Sequence, residues 1–166
     1  MIDKSGYRKN VGIVLVNSKG KLLICKRFKE KSWQFPQGGF KKNEIAESAM
    51  YRELFEEIGL KKNDVAIIGK TKQWLKYDLP KKYQRKTNNQ LCLGQKQIWF
   101  LLKLLSNDAS INLNTSKKPE FDSWEWVPDK RPLEIVIDFK KEVYEKALDE
   151  LLPLINSANF KKYKNV

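Results

Sequence analysis

The segment RELFEE, residues 52–57, constrains the fold more than any other part of the chain. Gly59 is a natural C-terminal stop, so the segment reads as the end of a helix, where residues three and four apart are neighbours and Glu53 faces both Glu56 and Glu57. Like charges so placed repel by about 0.2–0.5 kcal/mol per pair, and the last turn of a helix favours cations instead. No lysine between Asn43 and Gly59 offsets the charge. On a helical wheel Met50, Tyr51, Leu54, Phe55 and Ile58 share one broad arc, and the three glutamates occupy a separate one about 100° wide. The helix is therefore expected to dock by its apolar face and to present the carboxylates together at its edge. Three clustered oxygen donors suit a hard divalent cation such as Mg²⁺, which binds few carboxylates, retains waters and bridges to phosphates. A solvated acidic face is the plain alternative.

At 166 residues the chain is sized for a single core. Its apolar content of 41% contains no run long enough for a membrane helix, and the opening MIDKSGYRKN lacks the apolar segment of a secretory signal. A cytoplasmic protein without a membrane partner is expected. Cys25 and Cys92 lie in apolar runs without paired spacing, as reduced, partly buried thiols do. The absence of histidine excludes histidine-based triads and histidine metal ligands, so acid, base and metal work falls to carboxylates, lysine or tyrosine. A net charge of +13 admits a polyanionic partner, but all but five of the 33 basic residues are lysine, which compositional bias also produces.

VGIVLV (11–16) and KLLICK (21–26), separated by NSKG, predict a hairpin. SWQFPQGGFKKN (32–43) breaks regular structure, and Asn43 is placed to cap a helix running to Ile58. DVAIIGK, TKQWLKYDL, KQIWFLLKLL and SWEWV predict further strands, with a lysine-rich loop at 80–89. Apolar residues at helical spacing predict a last helix over 139–155. The expected organisation is one α/β domain over 1–155, a mixed sheet covered by helices, followed by a short basic tail at 156–166.

Gly38, Glu44, Arg52, Glu53, Leu54, Glu56, Glu57, Gly59 and Leu60 fit the pattern G-x5-E-x7-R-E-U-x-E-E-x-G-U, with U a bulky aliphatic residue. This resembles the Nudix box at every defined position. The resemblance implies an α/β/α sandwich and metal-assisted hydrolysis of a nucleoside diphosphate linked to another group. It also implies that Glu53, Glu56, Glu57 and the Gly38 carbonyl hold Mg²⁺ or a similar cation such as Mn²⁺, with Glu53 taking a proton from water. Glu44 and Arg52 are expected to form a structural pair.

The flanks MIDKSGYRKNVGIV, SWQFPQGG, GQKQIWFLL and PEFDSWEWV are similar to those of bacterial RNA pyrophosphohydrolases. That resemblance implies removal of pyrophosphate from the 5′-triphosphate end of RNA to leave a 5′-monophosphate, the step that initiates mRNA decay. Dinucleoside polyphosphates such as diadenosine tetraphosphate are the alternative substrates, and a monomer is expected. Residue by residue, it puts Arg8 and Arg27 near the polyphosphate and gives Glu120, in PEFD, to the metal site. Phe139 and Lys140 offer an aromatic plane and a cation to the substrate, although Phe139 also suits the core. Tyr77 either serves the substrate or packs.

Overall fold

A computed structural model describes residues 1–164. The predicted hairpin forms from β1 (Tyr7–Val16) and β2 (Leu22–Arg27). Two short strands that the sequence did not suggest, β3 (Trp33–Gln34) and β4 (Gln37–Gly39), pair with β2 and β1. Then come α1 (Ala46–Ile58), β5 (Val65–Lys70) and β6 (Leu75–Asp78), the last much shorter than its predicted segment. The lysine-rich loop contains its own ribbon, β7 (Lys86–Thr87) and β8 (Gln90–Leu91). Its turn residues Asn88 and Asn89 both have positive φ, 50° and 62°, the backbone that asparagine tolerates and a two-residue hairpin turn requires. The chain continues through β9 (Gly94–Leu104), β10 (Phe121–Val127), α2 (Arg131–Ile135), α3 (Asp138–Leu151) and α4 (Ala158–Lys162).

The main sheet runs β10-β2-β1-β9-β5, with β1 and β9 parallel at its centre and the other pairs antiparallel. Strand alternation sorts the core into two layers. Val11, Ile13 and Leu15 of β1 join Phe100 and Leu102 of β9 beneath Met50, Leu54 and Ile58 of α1. Val14, Val16, Trp99 and Leu101 pack on the other side with Tyr144, Ala147 and Leu148 of α3. The mixed sheet between two helical layers is the α/β sandwich expected from the sequence.

Local departures have identifiable causes. Asn43 does not cap α1; it turns the chain at φ 61°, and the helix starts at Ala46 with no side-chain cap. At its other end Gly59 adopts φ 74°, while the Thr115 hydroxyl donates to the carbonyls of Phe55 and Glu56 at 2.9 Å each, satisfying acceptors that a basic side chain would otherwise serve. The apolar arc of α1 is also displaced from its expected position. Glu53 and Glu57 are buried, whereas Phe55 is 43% exposed, because β4 covers the edge that carries the carboxylates. The last helix stops at Leu151 rather than 155, and Pro153, which has no N–H to donate, lies in a tighter 3-10 turn over Leu152–Asn156.

Part of the segment assigned to a tail is structured, although Asn165 and Val166 lie outside the described residues. Phe160 of α4 is buried, and Lys103 of β9, itself buried, donates to the carbonyls of Phe160 at 3.0 Å and Tyr163 at 2.6 Å. The Lys103 ammonium also lies 4.3 Å from the Phe160 ring centroid, so one side chain supplies both packing and a cation–π partner. Phe160→Ala is expected to lower the unfolding free energy by about 2–4 kcal/mol. A urea titration checks this, and a loss below about 0.5 kcal/mol would mean that α4 rests on the domain without supporting it.

Candidate active site

Arg52 ties the site together. Its Nε and Nη2 donate in fork fashion to the two oxygens of Glu44, both at 2.8 Å, while Nη1 reaches Glu53 at 2.6 Å and Glu56 at 3.3 Å. Nη2 also donates to the Gly39 carbonyl at 2.7 Å, which fastens α1 to β4. The fork holds Glu44 well below the ordinary carboxylate range, at about 2.

The glycine loop fits closely over the carboxylates. A Cβ on Gly38 would lie 1.9 Å from the Glu53 carboxyl carbon, so only glycine lets the strand approach. The neighbouring Gln37 N–H donates to Glu57 at 3.1 Å. Burial raises the Glu53 carboxyl despite the opposing Arg52, and raises Glu57 well above the ordinary value, reinforced by the charges of Glu53 and Glu120. Glu56 remains half-exposed, and Glu120 lies at the head of β10 with its carboxylate 3.7 Å from Arg27.

This oxygen-only donor set, with two buried carboxylates that repel one another, fits a hard divalent cation, which would offset both burial and repulsion. As the side chains stand, no three Asp, Glu, His or Cys groups among the described residues are gathered as metal ligands. Arg52 takes up Glu53 and Glu56 instead, so a cation would compete with its guanidinium.

On the α3 side of the sheet a cavity of about 460 Å³ is lined by Arg27, Gln34, Tyr77, Phe139 and Lys140, among others. Four residues singled out from the sequence thus meet in one place. Gln37 and Arg27 join this cavity to the carboxylates, the first through Glu57 and the second through Glu120. Lys140 is buried and donates to Gln34 at 3.3 Å; burial, with the nearby Arg27 charge, pushes its ammonium down to about 8 against the pull of Glu120 and Glu57. Tyr77 is largely packed, its hydroxyl donating to Gln95 at 2.7 Å and its ring 5.9 Å from Phe139. Phe139 is partly buried: its ring packs against the core and also lines the cavity, so both readings of it apply.

Arg8 is not among the lining residues. It lies on β1 opposite Gln95, which does line the cavity, and its buried Nε has no acceptor among the described residues. Sequence reasoning missed the lining glutamines Gln34, Gln37 and Gln95, which carry no periodic signal, and Tyr83, whose ring lies 5.9 Å from Phe139.

The Glu44–Arg52 pair makes a pH prediction. The folded-state value of about 2 lies below the unfolded value of 4.5, so the pair stabilises fully above about pH 4.5 and loses its contribution as pH falls towards 2. The stability difference between wild type and Glu44→Gln should be greatest near pH 6 and shrink steadily down to pH 2.5 in urea melts. A difference independent of pH would remove Arg52 as its cause.

A sheet between helices, an acidic helix edge and a glycine strand packed onto its glutamate together define a class. The family model described as NUDIX domain matches residues 6–147, and the chain belongs to the Nudix family, whose members generally use divalent metal ions. Among curated relatives, the RNA pyrophosphohydrolase of Pasteurella multocida (strain Pm70) is 55% identical over 93% of this chain and 78% of its own length. That of Hydrogenovibrio crunogenus (strain DSM 25203 / XCL-2) is 54% identical over 91% of this chain and 92% of its own. The fold is shared with a C. elegans Ap4A hydrolase binary complex, at TM-score 0.61 and 19% identity, covering 88% of this chain and 98% of that one. No helix among the described residues is long and apolar enough to cross a membrane.

Proposed function

We propose that this chain is a Mg²⁺-dependent RNA pyrophosphohydrolase, removing pyrophosphate from the 5′-triphosphate end of RNA and leaving a 5′-monophosphate. The observation that carries the reading is the cavity beside the glycine loop, lined by a ring and two cations, Phe139, Arg27 and Lys140, and joined to the carboxylates by Gln37 at Glu57 and by Arg27 at Glu120. An RNA 5′ end offers the matching groups, a base to stack and a polyphosphate to neutralise. The names of the relatives at 54–55% identity support the same substrate.

In this reading Glu56, Glu57, Glu120, Glu53 and the Gly38 carbonyl supply the oxygen ligands. A bound divalent cation supplies a Lewis acid for the phosphate oxygens and lowers the pKa of a water. Glu53 accepts the proton of the attacking water; its burial raises its basicity, and Arg52 fixes its position. Arg27, Lys140 and Arg8 take the polyphosphate oxygens, with guanidinium forks suited to that geometry. Phe139 stacks a base, and Tyr77 supports the Phe139 ring from inside the fold.

The test is a side-by-side assay of triphosphorylated RNA, diadenosine tetraphosphate and free nucleoside triphosphates at saturating Mg²⁺. RNA is expected to give the highest kcat/KM, and a preference for diadenosine tetraphosphate would replace this reading with dinucleotide hydrolysis. Glu56→Gln should reduce kcat at least about 100-fold. Its metal-free stability should stay within about 0.5 kcal/mol, because Glu56 is half-exposed and its ion pairs are loose. Near-wild-type turnover by that variant would exclude Glu56 from the site.

A further inference from the structure

The loop between β9 and β10 is fastened to the C-terminal end of α1. The Thr115 hydroxyl shares its proton between the carbonyls of Phe55 and Glu56, at 2.9 Å each, and the Asn112 N–H donates to the Ile58 carbonyl at 2.9 Å. Gly59 makes room for this contact. A Cβ there would stand 2.7 Å from the Asn112 carbonyl oxygen, so the glycine that ends the helix at positive φ also lets the loop come in. Ile111 and Leu113 pack against the core layer beneath α1 and hold the same stretch from inside.

A few residues after Thr115 the loop delivers Glu120. The Glu120 carbonyl accepts from the Phe28 N–H at 2.9 Å, and the next residue, Phe121, is buried in that same core layer. The backbone is thus pinned at both ends of a short span, to α1 at Thr115 and beside β2 at Glu120. The Glu120 side chain is held far less firmly. It is exposed, and its ion pair with Arg27, at 3.7 Å, is longer than a hydrogen bond. Electrostatics does not draw it in either. Its charge reaches Glu57 and raises that carboxyl, and the helix end it approaches is the negative one, with no basic residue in the last turn. What keeps the Glu120 carboxylate near those of α1 is therefore the fastening of its backbone.

We propose that Thr115 is a positioning residue for the cation site: by docking the 111–120 loop on the end of α1, its hydroxyl sets where Glu120 stands relative to Glu56 and Glu57, and so how tightly a divalent cation is held. This rests on the proposed role of Glu120 as a ligand. Thr115 acts through the backbone and not by ligation. It accepts no charge of its own, yet it joins the two halves of the donor set, the helix that carries Glu56 and the loop that carries Glu120. A hydroxyl suits the position because it is a neutral donor. Lysine or arginine would serve the same carbonyls, but would place a charge of the cation's own sign beside the site.

The experiment measures Mn²⁺ binding to the protein without substrate, from the electron paramagnetic resonance signal of the free ion, so that no turnover is involved. Thr115→Val, which keeps the shape and removes the donor, should weaken binding about tenfold, and Thr115→Ser should retain wild-type affinity. Two glycines inserted between Lys117 and Lys118, in the exposed part of the span, slacken it without touching Thr115 and should weaken binding as well. Circular dichroism of the metal-free variants checks that each is folded. Glu120→Gln should also bind more weakly, and adding Thr115→Val to it should cost little more, because the hydroxyl acts through Glu120. Wild-type affinity in folded Thr115→Val or in the insertion variant overturns the proposal. So does a Thr115→Val loss that is undiminished in the Glu120→Gln background, which would place the effect on α1 alone. Wild-type affinity in Glu120→Gln removes Glu120 from the proposed site and the fastening's role with it, whereas weakened Glu120→Gln with unaffected Thr115→Val removes the fastening alone.

Discussion

Everything at the carboxylate edge depends on the Arg52 guanidinium. It sits at the centre of three glutamates and one backbone carbonyl, fastening helix α1 to the strand that carries Gly38. Charge-assisted hydrogen bonds of this kind contribute roughly 1.5–3 kcal/mol each, but desolvation of the ions offsets much of that, so stability alone does not explain the arrangement. Its distinctive effect is positional. Glu53 is pinned against a strand that only glycine lets come so close, and Glu56 is held loosely enough to be surrendered. The same arginine thus holds these carboxylates in register and does not bind all of them equally.

The sandwich divides the work between its faces. α1 supplies the carboxylates on one side, while α3 supplies Phe139 and Lys140 on the other. The short strand β4 is the hinge between them in a strictly geometric sense. Gly38 meets Glu53 on the α1 side, and the adjacent Gln37 both donates its N–H to Glu57 and lines the cavity on the α3 side. A strand alternates its side chains between faces, so two consecutive residues suffice to connect the carboxylate edge to the cavity.

What the sequence made legible was whatever local periodicity governs. The hairpin, the long strand β9 and helix α3 follow from apolar spacing, and the box spacing located the acidic edge. The burial of Glu53 and Glu57 was not legible, because it depends on β4 folding over them from outside the helix. Phe55 was misplaced for the same reason: no helical wheel records which face a neighbouring strand will claim. Lys103 and Phe160 meet across 57 residues of sequence, and the three cavity glutamines are brought together only by tertiary structure. The Asn88–Asn89 turn is different. Its signal was local, since paired asparagines accept positive φ, and only the lysine-rich surroundings obscured it.

The missing histidines give the site its last physical logic. Without imidazole, an unperturbed side chain of this protein has no group that exchanges protons near neutrality. Burial shifts the groups that are present away from their ordinary values. It moves Glu53 and Glu57 upward from the carboxylate range and brings Lys140 down to about 8. Glu53 and Glu57 lie on α1 and Lys140 on α3, with Glu57 and Lys140 close enough that the carboxylate's charge acts on the ammonium. Perturbations in opposite directions that converge on one place mark a chemical site more strongly than either direction alone, because a merely structural ion pair would stabilise both charged forms. At Glu44 and Arg52 that structural pattern is what appears, with the acid pushed down and the base pushed up. The fold thus keeps the Glu44–Arg52 pair ionised as a fastening, while burial shifts the neighbouring Glu53 and Glu57 towards their neutral forms.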